Sequence, residues 1–225
     1  MPGQPAKGYP LTACFAMHRA LRTWIFLGCV VLLATPAQGG ELSVVCLGDS
    51  LTEGYGVAPE AAYPSVLQRR LREAGFEVRV VNAGISGATS ASGLSRLRWQ
   101  LRAAPDVLLV ALGANDGLRG VDPASTRRNL AQVLELAREE EIPVVLAGMR
   151  LPPNYGPAHV KAFEALYPSL AEEYAVPLIP FLLEGVAARP ELNLADGIHP
   201  NARGYLLVVD NILPVLQPLL EQEGS

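Results

Sequence analysis

Four short loops of this 225-residue chain carry side chains able to move an acyl group. Gly48-Asp49-Ser50-Leu51 offers a hydroxyl directly behind the apolar run Leu42 to Leu47, and Asp196-Gly197-Ile198-His199-Pro200 offers a carboxylate and an imidazole three residues apart. Acyl transfer needs a nucleophile, a base for its proton, a group that holds the base, and donors for the developing oxyanion. Ser50 fits the first role, His199 the second and Asp196 the third. An isolated Asp-Ser is ordinarily a turn or helix cap, and a lone His is ordinarily structural. What lifts Ser50 and His199 above those readings is that each supplies what the other lacks, with Pro200 restricting the backbone of His199.

For the oxyanion, the backbone N–H of Ser50 is one donor. A glycine backbone approaches closely enough to give another, and Gly87, closing Asn82-Ala83-Gly84-Ile85-Ser86-Gly87, is best placed. Asn115, in Gly113-Ala114-Asn115-Asp116-Gly117, adds a side-chain amide, against the alternative of a plain Asn-Asp-Gly turn. Leu118 and the loop Leu151 to Pro157 are expected to flank an acyl channel, with Pro152, Pro153 and Pro157 stiffening that wall and Pro152 and Tyr155 meeting the substrate. As a carboxylate pair, Asp116 and Asp122 have no spacing that singles them out from solvated loop charges. The chain has no Gly-x-Ser-x-Gly elbow and no phosphate-loop or dinucleotide glycine pattern.

These loops need a scaffold that brings them to one rim. Five short apolar runs, Ser43–Leu47, Val78–Val81, Val107–Leu112, Pro143–Ala147 and Pro177–Ile179, alternate with helix-like segments. Runs this continuously apolar are strands covered on both faces. Pro64 opens and Gly75 closes one helical segment; Leu94, Leu97 and Leu101 mark another. Asp122-Pro123 starts a third, with Leu130, Val133, Leu134 and Ala137 on one face, and Phe163, Leu166 and Leu170 mark a fourth. The last, from Asn201 to Leu216, carries Val208, Val209, Ile212 and Leu213 on one side and is expected to kink or end at Pro214. The alternation predicts an α/β protein, a three-layer α/β/α sandwich on a parallel sheet, with the loops after the strands' carboxyl ends opening on one rim.

The first forty residues have no acidic side chain, carry Lys7, Arg19 and Arg22, and run uncharged from Trp24 to Ala34. This is the pattern of a secretory signal over residues 1–39, cleaved between Ala37 and Gly40, followed by a single domain over 40–225. The apolar stretch falls short of the ~20 residues a bilayer-spanning helix needs, so no stable membrane anchor is expected. Removing the segment takes three of the 18 basic residues and none of the 22 acidic ones, leaving 15 against 22, a net charge of −7. That balance argues against nucleic acid or an anionic membrane as main partner. The same removal leaves Cys46 as the one thiol and His159 and His199 as the imidazoles, a poor set for a metal. A periplasmic or secreted monomer acting on a small molecule, with no metal and no cofactor, is the expectation.

The set Gly48-Asp49-Ser50-Leu51, Gly87, Gly113-Ala114-Asn115-Asp116 and Asp196-x-x-His199 resembles the SGNH (GDSL) hydrolases, with all four motif blocks in the family's order. Gly117-Leu118-Arg119-Gly120, Arg150-Leu151-Pro152-Pro153-Asn154-Tyr155-Gly156 and Asp196 through Asn201 are similar to the periplasmic multifunctional thioesterase I/lysophospholipase/arylesterase branch. The resemblance implies a flavodoxin-like fold with a five-stranded parallel sheet. It also implies cofactor-free hydrolysis of acyl esters and thioesters through Ser50, His199 and Asp196, with Ser50, Gly87 and Asn115 as oxyanion donors. One departure is Ala88, where relatives often carry an acidic residue. Two other readings remain at this level: an O-acetylesterase of polysaccharide or peptidoglycan, and a non-catalytic periplasmic binding module.

Overall fold

The computed structural model describes residues 40–224. The expected signal segment lies outside the described residues. Five strands, β1 (Leu42–Gly48), β2 (Val78–Gly84), β3 (Val107–Ala111), β4 (Val144–Ala147) and β5 (Leu178–Ile179), pair in parallel in the order β2-β1-β3-β4-β5. Their connections carry helices α1 (Ser50–Glu53), α2 (Tyr63–Glu73), α3 (Gly93–Gln100), α4 (Ala114–Leu118), α5 (Pro123–Glu139) and α6 (Pro157–Tyr174), and α7 (Ala202–Glu223) closes the chain. Helices α2 and α7 pack on each other, while α5 packs between α3 and α6. The result is the three-layer arrangement expected from the β-α alternation, with the flavodoxin-like strand order that the resemblance implied.

Strands β3 and β4 are buried along their whole length, and β1 from Ser43 onward. Each Val or Leu taken fully out of water there stabilises the fold by about 1.5–3 kcal/mol. Strand β2 departs from the two-sided burial its apolar run suggested: Arg79 and Asn82 are exposed because β2 is an edge strand paired on one side only. Cys46 lies in β1 with no exposure, and burial pushes its thiol up to about 12, so it stays a small protonated hydrophobe.

Helix α5 begins where Asp122-Pro123 predicted, the Asp122 carboxylate accepting from the Ala124 N–H at 3.1 Å. Asp122 is thus a helix cap and not merely a solvated charge. Leu130, Val133, Leu134 and Ala137 form its buried stripe. Helix α7 corrects the expectation for Pro214, since it runs through both Pro214 and Pro218 to Glu223. The two prolines stand four residues apart on the exposed face, so the carbonyl each ring frees, at Asp210 and at Pro214, faces water and is satisfied there. Pro168, exposed inside α6, is tolerated in the same way.

Register fixes the rim. Gly48 pairs with Gly84 on one side and with Ala111 on the other, so the loops after β1, β2 and β3 leave the sheet at one level. Immediately beyond, α1 turns back over the strand ends. A Cβ on Gly48 would overlap the Thr52 side chain, and a Cβ on Gly84 would overlap the Thr52–Glu53 backbone. Thr52 cannot easily move aside, because it is buried and its hydroxyl lies 2.9 Å from that of Tyr63. We therefore expect Gly48→Ala to lower unfolding free energy by about 1–3 kcal/mol in urea titrations. An unchanged midpoint would show that α1 has room to shift.

Candidate active site

The topological switch point between β1 and β3, where the strand order reverses, is where open α/β sheets bind ligands. Asp49 leaves β1 there and caps α1, its Oδ1 accepting the Leu51 N–H at 3.0 Å. Ser50 is the next residue, so its hydroxyl stands on the first turn of a helix pressed against the sheet edge. From the far end of the chain, the loop between Asn193 and Pro200 folds as a small antiparallel bridge, with Leu194 N–H donating to His199 O at 2.8 Å. Inside it, Asp196 Oδ1 accepts the N–H groups of Ile198 and His199 at 2.9 and 3.0 Å.

Ser50 Oγ lies 2.9 Å from His199 Nε2, and His199 Nδ1 lies 2.7 Å from Asp196 Oδ2. A carboxylate only accepts, so Nδ1 carries the imidazole proton and Nε2 is left to accept from the serine hydroxyl. The backbone N–H groups of His199 and Ile198 hold the Asp196 carboxyl down at about 2, which keeps it ionised beside the imidazole.

The expected oxyanion donors converge on the same rim. Gly113, left-handed at φ +112°, turns the chain out of β3 into α4, and the Tyr167 hydroxyl fills the space where a Cβ would stand. Asn115 follows; its Nδ2 donates to Ala88 O at 3.0 Å and reaches Asp49 Oδ2 at 3.4 Å. The second contact is beyond ordinary hydrogen-bond length, leaving one amide hydrogen weakly engaged. Gly87 sits at φ +76°. Among the described residues, the N–H groups of Ser50 and Gly87 have no protein acceptor.

Beside Ser50 and His199 opens a cavity of about 500 Å³, walled by Leu51, Leu118, Met149, Leu151, Phe181 and Ile198 among others. Leu118 and Pro152 line it as expected. Tyr155 does not: it ends a short 3-10 turn, Pro153–Tyr155, and packs half-buried against the hydrophobic core. Among the described residues, no group of three or more His, Cys, Asp or Glu could hold a metal ion.

Several residues at the site carried no sequence signal of their role. Asp116, read above as a solvated loop charge, is buried, and its Oδ2 accepts the Ser90 N–H at 2.8 Å while Oδ1 accepts the Ser90 hydroxyl. The partner lies 26 residues away, on an element that sequence spacing does not bring near. Arg96 of α3, half-buried, donates from Nη2 to Gly48 O at 2.8 Å and to Ala83 O, tying the ends of β1 and β2. The Tyr55 ring lies 4.6 Å from the His199 ring at 41°, and the Tyr55 N–H donates to Ser50 O at 3.0 Å. An aromatic residue in the loop just after the serine helix was the available hint.

A hydroxyl with an acceptor for its proton, a fixed partner for that acceptor and an apolar recess alongside are what acyl transfer by a serine hydrolase requires, and that is the class the site defines. Comparison with known proteins makes the class specific. The chain belongs to the GDSL-like lipase/acylhydrolase family, whose model matches residues 46–207. It is 40% identical to esterase TesA of Pseudomonas aeruginosa over 201 residues, 89% of this chain and 100% of that one. Identity is also 40% to the thioesterase 1/protease 1/lysophospholipase L1 of Escherichia coli strain K12, over 87% of this chain and 92% of that one. A crystal structure of TesA superposes with a TM-score of 0.76 at 42% identity, covering 79% of this chain and 99% of that one.

The carboxylates of Asp49 and Asp196 respond oppositely to acid. Burial, opposed by the Leu51 N–H and by His199 and Arg96, raises the Asp49 carboxyl from 3.8 to about 6. Its ionised form therefore costs stability above about pH 6, and that cost is relieved as pH falls toward about 4. Asp196, held at about 2, contributes stability above its ordinary 3.8 and loses it only as pH falls further toward about 2. Relative to Asp49→Asn, the wild-type protein should gain on the order of 2–3 kcal/mol between about pH 7 and about pH 4.5, read from urea unfolding at both values. A constant difference between the two proteins would show that Asp49 does not titrate in that window.

Proposed function

We propose that Ser50 is the nucleophile of a cofactor-free acyl hydrolase acting on carboxylic esters and thioesters with apolar acyl groups. The observation that carries this reading is the continuous chain from Ser50 Oγ through His199 to Asp196, at 2.9 and 2.7 Å, opening on an apolar cavity of about 500 Å³.

Ser50 Oγ forms a bond to the acyl carbon as its proton passes to His199 Nε2, and the carbonyl π pair moves onto oxygen. The resulting imidazolium is stabilised by ionised Asp196, which also holds the ring in the tautomer that accepts at Nε2. The oxyanion meets the N–H groups of Ser50 and Gly87 and the weakly engaged hydrogen of Asn115 Nδ2. Collapse breaks the bond to the leaving oxygen or sulfur, which takes the proton from His199. Water, losing a proton to the same Nε2, then attacks the acyl-serine, and the returning proton frees Ser50 and a carboxylic acid.

An acetyl group would leave most of the cavity empty, and among the described residues Phe181 is the one Phe, Tyr or Trp on its wall, where a sugar chain would need stacking surfaces. Both features support longer acyl groups over O-acetylated glycans. The relatives named esterase and thioesterase/lysophospholipase support the same substrate class. Among the described residues no helix is long and apolar enough to cross a membrane. The charge pattern of residues 1–39 is what supports an exported enzyme that meets its substrate outside the cytoplasm. N-terminal sequencing of the exported protein should find a start between Ala37 and Gly40; an intact Met1 or Met17 would argue against export through cleavage.

With aryl esters of graded acyl length, kcat/KM should rise from acetyl to medium chains, and Ser50→Ala should fall to background. Highest efficiency on acetyl esters would favour the O-acetylesterase reading. Asn115→Ala should lower kcat by about 10²–10³ with little change in KM, because the amide hydrogen not bonded to Ala88 O meets the oxyanion only as it forms. Wild-type turnover by that variant would remove Asn115 from the mechanism.

A further inference from the structure

Gly87 lies on an exposed loop with no core packing of its own, yet an oxyanion donor is effective only when it is fixed before the reaction begins. The loop is tied from both sides by the two short helices that carry the other donors. From the end of α1, Glu53 Oε2 accepts the Ser86 N–H at 2.7 Å and also the Ser86 hydroxyl, and the Glu53 carbonyl accepts from Asn82 Nδ2 at 3.2 Å. From the end of α4, Arg119 Nη2 donates to Gly87 O at 3.1 Å. Asn115 on the same helix donates to Ala88 O.

The backbone shows what these ties accomplish. Ile85 N–H donates to Gly48 O at 3.3 Å, Ser86 N–H to Glu53, and Ala88 N–H to Ile85 O at 3.1 Å. Among the described residues, Gly87 N–H is the one in this stretch with no protein acceptor. A glycine at φ +76° has a broad range of conformations to lose, so a loop left untied would present that N–H only part of the time.

The geometry points to Glu53 and Arg119 as positioning residues that clamp the Ile85–Ser86 and Gly87–Ala88 peptides on either side of the Gly87 N–H, so that this N–H is held in a fixed relation to Ser50 and Asn115. This rests on the oxyanion roles proposed above. Neither side chain need touch the substrate; each acts through the peptide it holds. Because Glu53 and Arg119 are exposed, their loss should leave global stability nearly unchanged, which separates positioning from a general structural role.

The test compares Glu53→Ala, Glu53→Gln and Arg119→Ala with wild type on a soluble aryl ester, together with inhibition by a trifluoromethyl ketone that forms a tetrahedral adduct with serine. Glu53→Ala should lower kcat about tenfold with KM within about twofold, and weaken the ketone to a similar degree, at an unchanged urea midpoint. Glu53→Gln keeps an acceptor for the Ser86 N–H and should recover most of the loss. Adding Asn115→Ala to Glu53→Ala should cost less than Asn115→Ala costs alone, since both act on one oxyanion. Wild-type kcat in both Glu53→Ala and Arg119→Ala, or a loss confined to KM, overturns the clamp. If Asn115→Ala is still impaired in that case, the oxyanion reading stands without it. Wild-type turnover by Asn115→Ala overturns that reading and the clamp together.

Discussion

The site depends on a close approach of backbone to backbone at the carboxyl edge of the sheet. Helix α1 lies directly on the ends of β1 and β2, a position open only because Gly48 and Gly84 bring no side chains there. Level register across β2, β1 and β3 then lets three loops meet at one height. Arg96 adds a polar brace from α3, its guanidinium bonded to the carbonyls of Gly48 and Ala83 near the ends of the two strands. From that base follow the place of the Ser50 hydroxyl, the reach of Glu53 to Ser86, and the entry to the apolar cavity.

The same compactness puts charge where water cannot follow. Asp49 has no exposed surface, and its carboxyl is held by one backbone N–H, a distant Asn115 amide and the field of Arg96 and His199. Those groups offset only part of the desolvation. An apolar residue at this position would relieve the strain of burial but would leave α1 without its cap and Asn115 without a neighbour to orient against. Polar groups of this kind are where a fold gives up stability for a prepared site.

The layered fold was legible because its signal is local. Apolar runs of strand length and stripes such as Leu130, Val133, Leu134 and Ala137 need no knowledge of partners. The pairing of Ser50, Asp196 and His199 was also legible, since residue types, with Asp196 and His199 only three positions apart, suggest it before any fold is known, and the fold brings them within hydrogen-bond distance. Legibility ended wherever burial depended on a distant element. Asp116 looked like a loop charge but lies buried against Ser90, Tyr155 faced the core and not the cavity, and nothing in the spacing of Glu53 tied it to Ser86, 33 residues on. Pro214 misled for the opposite reason: a local rule for helix interiors yields when the ring and the freed carbonyl both face solvent.

Asp196 and His199 sit three residues apart on one bridged loop, bonded to each other through both backbone and side chain, while Ser50 lies 149 residues from His199. The imidazole and its carboxylate therefore travel as one cartridge. Movement of that loop alters the distance from Nε2 to Oγ and the contact with the Tyr55 ring, and leaves the bond between imidazole and carboxylate as it was. In lineage terms, segments between the serine and the cartridge are free to lengthen, shorten or be exchanged so long as this one distance is restored. The cavity walls that come from those intervening segments, Leu118, Met149, Leu151 and Phe181 among them, can diversify without the Asp196–His199 pair being rebuilt.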